Sequence, residues 1–265
     1  MNSYKQTLES ILRDAGELVM SYRSRGDVTI TKSKNEIVTP ADMACNEYIV
    51  NKLRTCYPDI AIYTEEDINL RSESTTRWII DPIDGTTPWV WGNSGFGISV
   101  ALEKEGEIVI GAVFDPVFKE LFYAEKGQGA TRNGIPLTPV KNVPVSQMFM
   151  VVDWGNSDEK RPDGLAYFKH FFLPEMYAHR VVPQFAPALG LCKIAEGRIH
   201  ALICNDTWLE DHTAGALILK EAGGYISNFY HTNSFQHREY GIIATNEKST
   251  HEQIVKFLRG KNILV

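Results

Sequence analysis

Three short acidic stretches hold the residue types best suited to chemistry. WIIDPIDGTTPW (78–89) places Asp81 and Asp84 behind an apolar run, where Pro82 and Gly85 impose a turn. YTEED (63–67) brings Glu65 and Glu66 to the end of the preceding apolar segment, and EDHTAG (210–215) sets Asp211 at the opening of a helical pattern. Acids on a turn at the C-terminal end of a strand stand where α/β proteins commonly do their chemistry. Each stretch also has an ordinary reading, since Asp-Pro and Asp-Gly are common turn pairs and Asp is a good helix cap. Taken together they are harder to dismiss. If the strand ending at Thr64 neighbours 77–81, Glu65 comes close to Asp81. Several carboxylates gathered in one interior site are costly when uncompensated, and few basic residues lie near these motifs. A hard divalent cation with oxygen ligands solves the problem, Mg²⁺ being the usual ion where phosphate is also bound. In Asp84-Gly85-Thr86-Thr87 the glycine permits close backbone approach, and a helix or turn starting there aims free N–H groups at an anion. A carboxylate-held metal beside such a nest is the layout of metal-assisted phosphoryl transfer.

The elements that must position these residues follow from periodicity. Leu8, Ile11, Leu12, Ala15, Leu18, Val19 and Tyr22 recur at helical spacing, predicting a helix over roughly the first two dozen residues. Thr39-Pro40-Ala41-Asp42 opens a second helix, which stops before Tyr57-Pro58. IAIYT (60–64) and RWIID (77–81) read as strands, and FGISVALE, EIVIGAVFDP and ELFYAE follow as an antiparallel meander. After an irregular region at 144–186, with a polar loop at 155–164, helix and strand alternate through ALGLCKIAEG, IHALIC, DHTAGALILKEAGG, GIIAT and HEQIVKFLRG. Helices first, a sheet-rich middle and an alternating end indicate a layered α/β or α+β architecture. We expect a single domain over 1–265; a two-lobe division into 1–143 and 144–265 would fall in the irregular region.

The whole chain bounds the function. Its 265 residues suffice for one large core, and 43% hydrophobic with 23% charged residues is ordinary for a folded protein. The balance of 27 basic against 33 acidic residues gives a formal net charge of -6, with no basic run to attract nucleic acid. Cys45, Cys56, Cys192 and Cys204 form no C-x-x-C pair and read as buried free thiols of a reducing compartment. The charged N-terminal stretch is neither a signal peptide nor a membrane span. The expectation is a cytoplasmic protein that engages neither membrane nor nucleic acid.

DPIDGTT (81–87), TEED (64–67) and DHTAG (211–215), in this order and at these separations, resemble the inositol monophosphatase family. The likeness extends to VTPAD (38–42), GAVFDP (111–116), KGQGA-x-x-NG (126–134), ALGLCKIAEGR (188–198) and EAGG (221–224). It implies a five-layered α-β-α-β-α sandwich, a homodimer, and a Mg²⁺-dependent, lithium-sensitive phosphomonoesterase using two or three ions. Carried over, Glu65, Asp81, Asp84 and Asp211 become metal ligands, joined by the carbonyl of Ile83. Gly85 and Thr86 offer N–H groups to the phosphate, and Asp211 lies against the substrate. Asp42 and the Thr86 hydroxyl, with Glu65, activate the attacking water. The substrate is a small phosphorylated metabolite. Inositol 1-phosphate leads; histidinol phosphate, fructose 1,6-bisphosphate and 3′-phosphoadenosine 5′-phosphate are substrates of related families.

Four departures bear on the substrate. Glu210 replaces the tryptophan usual before Asp211, and is read as an exposed first-turn carboxylate or as an extra acid of the metal site. Gln184-Phe185-Ala186-Pro187 stands where relatives carry Gly-Ser/Thr-Ala-Ala, Cys204 stands near the place of an inositol-contacting acid, and Pro88-Trp89 replaces Asn-Phe. His212 is expected to face solvent, while Trp89, Trp91 and Phe96 are expected to pack in the core or, alternatively, to rim the pocket. Rival chemistries lack their residues. No Asp stands two before Asp84 for an aspartyl-phosphate mechanism, and Walker A, G-x-S-x-G, H-E-x-x-H and EF-hand patterns are absent. A non-catalytic metal-binding scaffold is the alternative of another class.

Overall fold

The computed structural model describes residues 3–25, 30–31, 37–138, 144–153, 180–183, 186–230 and 234–263. Two helices come first: α1 (Tyr4–Arg25) and α2 (Pro40–Cys56), with the short pair β1 (Ile30–Thr31) and β2 (Ile37–Val38) between them. Next come β3 (Ala61–Thr64), β4 (Arg77–Asp84), the short α3 (Thr86–Val90), β5 (Gly97–Lys104), β6 (Glu107–Asp115), β7 (Glu120–Glu125), β8 (Ala130–Arg132) and β9 (Ile135–Pro136). The remainder is β10 (Phe149–Asp153), β11 (Arg180–Pro183), α4 (Pro187–Ala195), β12 (Ala201–Cys204), α5 (Leu209–Ala222), β13 (Tyr225–Asn228), β14 (Ile242–Thr245) and α6 (Lys248–Gly260).

A seven-stranded sheet runs in the order β3-β4-β5-β6-β7-β8-β9, parallel at β3/β4 and antiparallel beyond. A five-stranded sheet runs β11-β10-β12-β14-β13. Alternation along β4, β5 and β6 sends Trp78, Ile80, Ile98, Val100, Ile110 and Ala112 to one face, where Leu8, Leu12, Cys45 and Ile49 of α1 and α2 cover them. Ile79, Ala101 and Val113 go to the other face. There they meet Leu189, Leu191, Ala214 and Ile218 of α4 and α5, which also cover Leu202, Ile226 and Ala244 of the second sheet. The outer face of that sheet is closed by Ile254 and Leu258 of α6 against Met150, Ile203 and Ile243. The result is the five-layered α-β-α-β-α sandwich, and it explains why these strands are apolar on both faces.

Local signals set the element ends. Thr39 caps α2, accepting from the Ala41 and Asp42 amides, and Asp42 completes the capping box. Several boundaries differ from the sequence reading. RWIID continues through Asp84, because the pairing with β5 resumes beyond Pro82. The helix of the third acidic motif starts two residues earlier, at Leu209 with Trp208 as its cap, so Asp211 is not the cap. Strand β13 (YISN) follows the Gly223 stop too closely to show as a separate periodic run. Cys45, Cys192 and Cys204 are buried and free, but Cys56, at the last position of α2, is exposed. The polar loop at 155–164 lies outside the described residues. Among the described residues, no helix is long and apolar enough to cross a membrane.

Candidate active site

The site begins with a fault in β4. Asp81 pairs with Ser99 and Asp84 with Gly97, so three steps along β4 match two along β5. In an even ladder, residues three apart point to opposite faces; the bulge returns Asp84 to the face of Asp81. Pro82 sits inside it, where an absent N–H costs no ladder bond. Asp81 Oδ1 accepts the Ile83 amide at 3.0 Å. Both acids thus enter the layer of α4 and α5, the same side as Ile79.

Other elements bring further acids to this point. The parallel pairing of β3 with β4 continues past Thr64, the Glu65 amide donating to the Ile80 carbonyl at 3.2 Å. Asp84 Oδ2 accepts the Ala188 and Leu189 amides of the first turn of α4, at 2.8 and 3.4 Å. Asp211, at the third position of α5, accepts the Trp208 amide at 2.7 Å. The N-termini of α3, α4 and α5 therefore converge on the acids, and their partial positive ends favour anionic groups there.

Electrostatics shows how closely the acids are grouped. Burial pushes the Asp81, Asp84 and Asp211 carboxyls well above the ordinary carboxylate range. Glu65 repels all three and so raises them further, while the Ala188 and Leu189 amides partly relieve Asp84. Among the described residues, no three His, Cys, Asp or Glu side chains already stand in a coordinating arrangement. One oxygen each of Asp81, Asp84 and Asp211 is instead turned onto backbone amides.

A second group adjoins the first. The Thr86 hydroxyl lies 3.1 Å from Asp42 Oδ1 and 3.2 Å from the Ile83 carbonyl, one proton between two acceptors. Asp42 Oδ2 receives the Thr39 amide at 2.8 Å and the Thr39 hydroxyl at 2.5 Å. Burial raises the Asp42 carboxyl to about 6, against the lowering effect of the Thr39 bonds. Gly85 initiates α3 at φ +91°, a backbone that disfavours any side chain. The amides of Gly85 and Thr86 stand at this helix start, where N–H groups lack intrahelical partners.

Two residues differ from expectation. Glu210 is 3% exposed, not a surface carboxylate. Its charge acts on the Tyr63 hydroxyl and on Asp81 and Asp211. His212 is fully buried rather than solvent-facing, since the α5 start turns it inward. Its Nε2 donates to the His237 carbonyl at 2.9 Å, so Nδ1 accepts from Thr207 Oγ1 at 3.0 Å, and burial lowers its pKa to about 4. Trp89 and Phe96 are core residues, whereas Trp91 is 74% exposed. Gln184 and Phe185 lie outside the described residues.

Sequence reasoning missed Asp153, whose charge raises the Asp84 carboxyl. The signal was available: FMVVD ends an apolar strand with an acid, as WIID does. It also missed Arg71, 3.8 Å from Glu210. Trp208 and Tyr240 form an exposed edge-to-face pair, ring centroids 5.0 Å apart, at the head of α5.

Comparison with known proteins gives the family. The profile of the inositol monophosphatase family matches residues 2–261. The chain is 32% identical over 235 residues to the Nus factor SuhB of Pasteurella multocida, covering 84% of each. It is 33% identical over 223 residues to the fructose-1,6-bisphosphatase/inositol-1-monophosphatase of Thermotoga maritima, covering 83% of this chain and 82% of that one. The solved structure of an inositol monophosphatase from Thermotoga maritima superposes with a TM-score of 0.84 at 28% identity, covering 96% of this chain and 97% of that one. The chain belongs to the inositol monophosphatase family, whose members are generally metal-dependent, and it is a phosphatase that hydrolyses phosphomonoesters.

Proposed function

We propose that the acid cluster holds Mg²⁺, as two or three ions, and that the substrate is a small phosphorylated metabolite, inositol 1-phosphate first. The observation that carries this reading is the gathering of Asp81, Asp84, Asp211 and Glu65 beside the Asp42–Thr86 pair. Hard oxygen donors, anionic and buried, fit a hard divalent cation. Glu65, Asp81, Asp84, Asp211 and the Ile83 carbonyl would be its ligands. When bound, the metal acidifies water and neutralises charge developing on the phosphate and the leaving oxygen.

The chain's own groups do the rest. Ionised Asp42 accepts a proton relayed through the Thr86 hydroxyl, orienting water toward phosphorus; Glu65 flanks it. The Gly85 and Thr86 amides hold phosphate oxygens, and Asp211 fixes the substrate's hydroxyl side. Water's oxygen bonds to phosphorus as the ester bond breaks, and a bound water protonates the departing alkoxide. The protein acts in the cytoplasm as a homodimer.

A second substrate reading rests on Trp208 and Tyr240. An exposed aromatic pair beside Asp211 suits an alcohol bearing a flat ring, and favours 3′-phosphoadenosine 5′-phosphate or histidinol phosphate, with their adenine and imidazole rings, over fructose 1,6-bisphosphate. The test is phosphate release with Mg²⁺ across these esters, ranked by kcat/KM, with Asp84→Asn as control. Turnover of inositol 1-phosphate above the rest supports the first reading. A chain that turns over none of them, or an Asp84→Asn variant as active as wild type, sinks the proposal.

A further inference from the structure

Arg71 belongs to neither of the acidic motifs it touches, yet it joins them. It follows the single helical turn Ile68–Leu70 after β3. Its Nη2 donates to the Glu65 carbonyl at 3.1 Å and stands 3.8 Å from Glu210 Oε1, an ion-pair distance. Its guanidinium lies over the Tyr63 ring, 5.7 Å from the centroid. The Tyr63 hydroxyl is on the Glu210 side of that ring, close enough for the carboxylate's charge to act on it. Arg77 also lies over the Tyr63 ring, 5.0 Å from its centroid, and is itself fixed at 2.8 Å on buried Glu103. The Glu210 carbonyl accepts Ser99 Oγ at 3.4 Å, which anchors the same residue to β5.

We propose that Arg71, Glu210 and Tyr63 form a strap that fixes the position of Glu65 relative to Asp211 and thereby sets how tightly the carboxylate cluster holds its divalent cation. The second clause rests on the metal reading above. Glu65 sits on a loop and Asp211 on a helix from a distant part of the chain. Their spacing has no covalent basis, and the Arg71 side chain links the Glu65 backbone to the residue preceding Asp211. These are positioning residues, acting on a ligand set from outside it, a role whose loss commonly weakens metal binding. The proposal also accounts for the acid at 210: an apolar side chain there could hold neither the guanidinium nor the phenol.

The sign of the effect separates a strap from simple charge. By charge alone, Arg71→Met removes a positive group from the acids and tightens Mg²⁺ binding, while Glu210→Gln removes a negative one and weakens it. A strap makes both variants weaker, each by about tenfold, with the double variant no worse than the weaker single one. Tyr63→Phe, which deletes one hydroxyl and keeps the ring, shifts binding the same way. Calorimetric titration of Mg²⁺ without substrate reads all four. Amide exchange at Glu65, measured in chelator, reads the strap without metal: both single variants should speed it at least about threefold, since the loop then opens more often. Tighter binding by Arg71→Met, additive losses, or unchanged exchange overturns the strap. A wild-type protein that takes up no Mg²⁺ overturns the cation clause together with the functional reading, and the Glu65 exchange rates then decide the strap by themselves.

Discussion

Asp211 does two jobs with one carboxylate. One oxygen caps the Trp208 amide, and the charge as a whole faces Asp84 and Glu65. Asn keeps an acceptor for the amide and removes the charge. Asp211→Asn should therefore lower kcat/KM by at least about a hundredfold, the scale of losing one preorganised electrostatic contact, while the melting temperature in chelator stays level or rises. Activity assays and thermal unfolding check this together. Asp42 supplies a pH test. Its carboxyl, raised to about 6, must be ionised to accept a proton, so kcat should fall as pH drops through about 6. A flat profile between pH 5 and pH 7 would remove Asp42 from the proton relay. At this scale the sequence was informative about identity and poor about orientation. Glu65, Asp81, Asp84 and Asp211 could be picked out as acids at element ends. Whether Glu210 and His212 faced water could not, because a helix starting at Leu209 instead of Asp211 rotates both positions.

At the scale of elements, the third motif contains a residue that does no chemistry yet has no room for a side chain. A Cβ on Gly215 would lie 2.7 Å from the Ala188 carbonyl and 2.9 Å from Leu191 Cβ. Where α5 meets the first sheet, a Cβ on Gly111 of β6 would lie 2.5 Å from the Ala214 carbonyl. The helix carrying Asp211 is thus seated against both β6 and α4, whose first turn binds Asp84. Gly215→Ala should destabilise the fold by about 1–3 kcal/mol through overpacking. It should also lower kcat more than tenfold at temperatures where the variant remains folded, as the spacing of Asp84 and Asp211 opens. Denaturant unfolding with kinetics on the folded fraction separates the two effects. The apolar periods of β5, β6 and α1 were plain in the sequence. The bulge was not, because it is defined by the register with β5, a property of two strands that neither carries alone.

For the whole molecule, buried acids and buried histidines pull the pH dependence of stability in opposite directions. Asp42 holds its proton more tightly folded than unfolded, so its contribution is complete below its ordinary 3.8 and is lost as pH rises through about 6. His212 and His251 are lowered to about 4, so theirs is complete above 6.5 and is lost as pH falls toward 4. The difference in melting temperature with Mg²⁺ and with chelator cancels the histidines and leaves the competition between cation and protons at the acids. That difference should be largest near pH 8 and shrink steadily as pH falls through 6; differential scanning calorimetry in both buffers measures it. A difference independent of pH would argue against the cluster as the cation site. The layering itself was legible from the order of helices and strands, since strands apolar on both faces must be covered on both.

The bulge in β4 also has a meaning for how such a chain can vary. Pro82 and Ile83 contribute carbonyls, Pro82's accepting from Cys45 Sγ and Ile83's from the Thr86 hydroxyl, and a carbonyl is supplied by any residue. The length between the two acids is another matter. Deleting one residue would keep both aspartates on the inner face but straighten the strand and withdraw the carbonyl beside Thr86. Inserting one would widen the fault, send Asp84 toward α1 and α2, or straighten the strand with both acids on the inner face but four residues apart. Position 83 must also stay apolar, since the Ile83 side chain is buried in the core with those of α1 and α2, but it is the number of residues between Asp81 and Asp84 that sets the bulge.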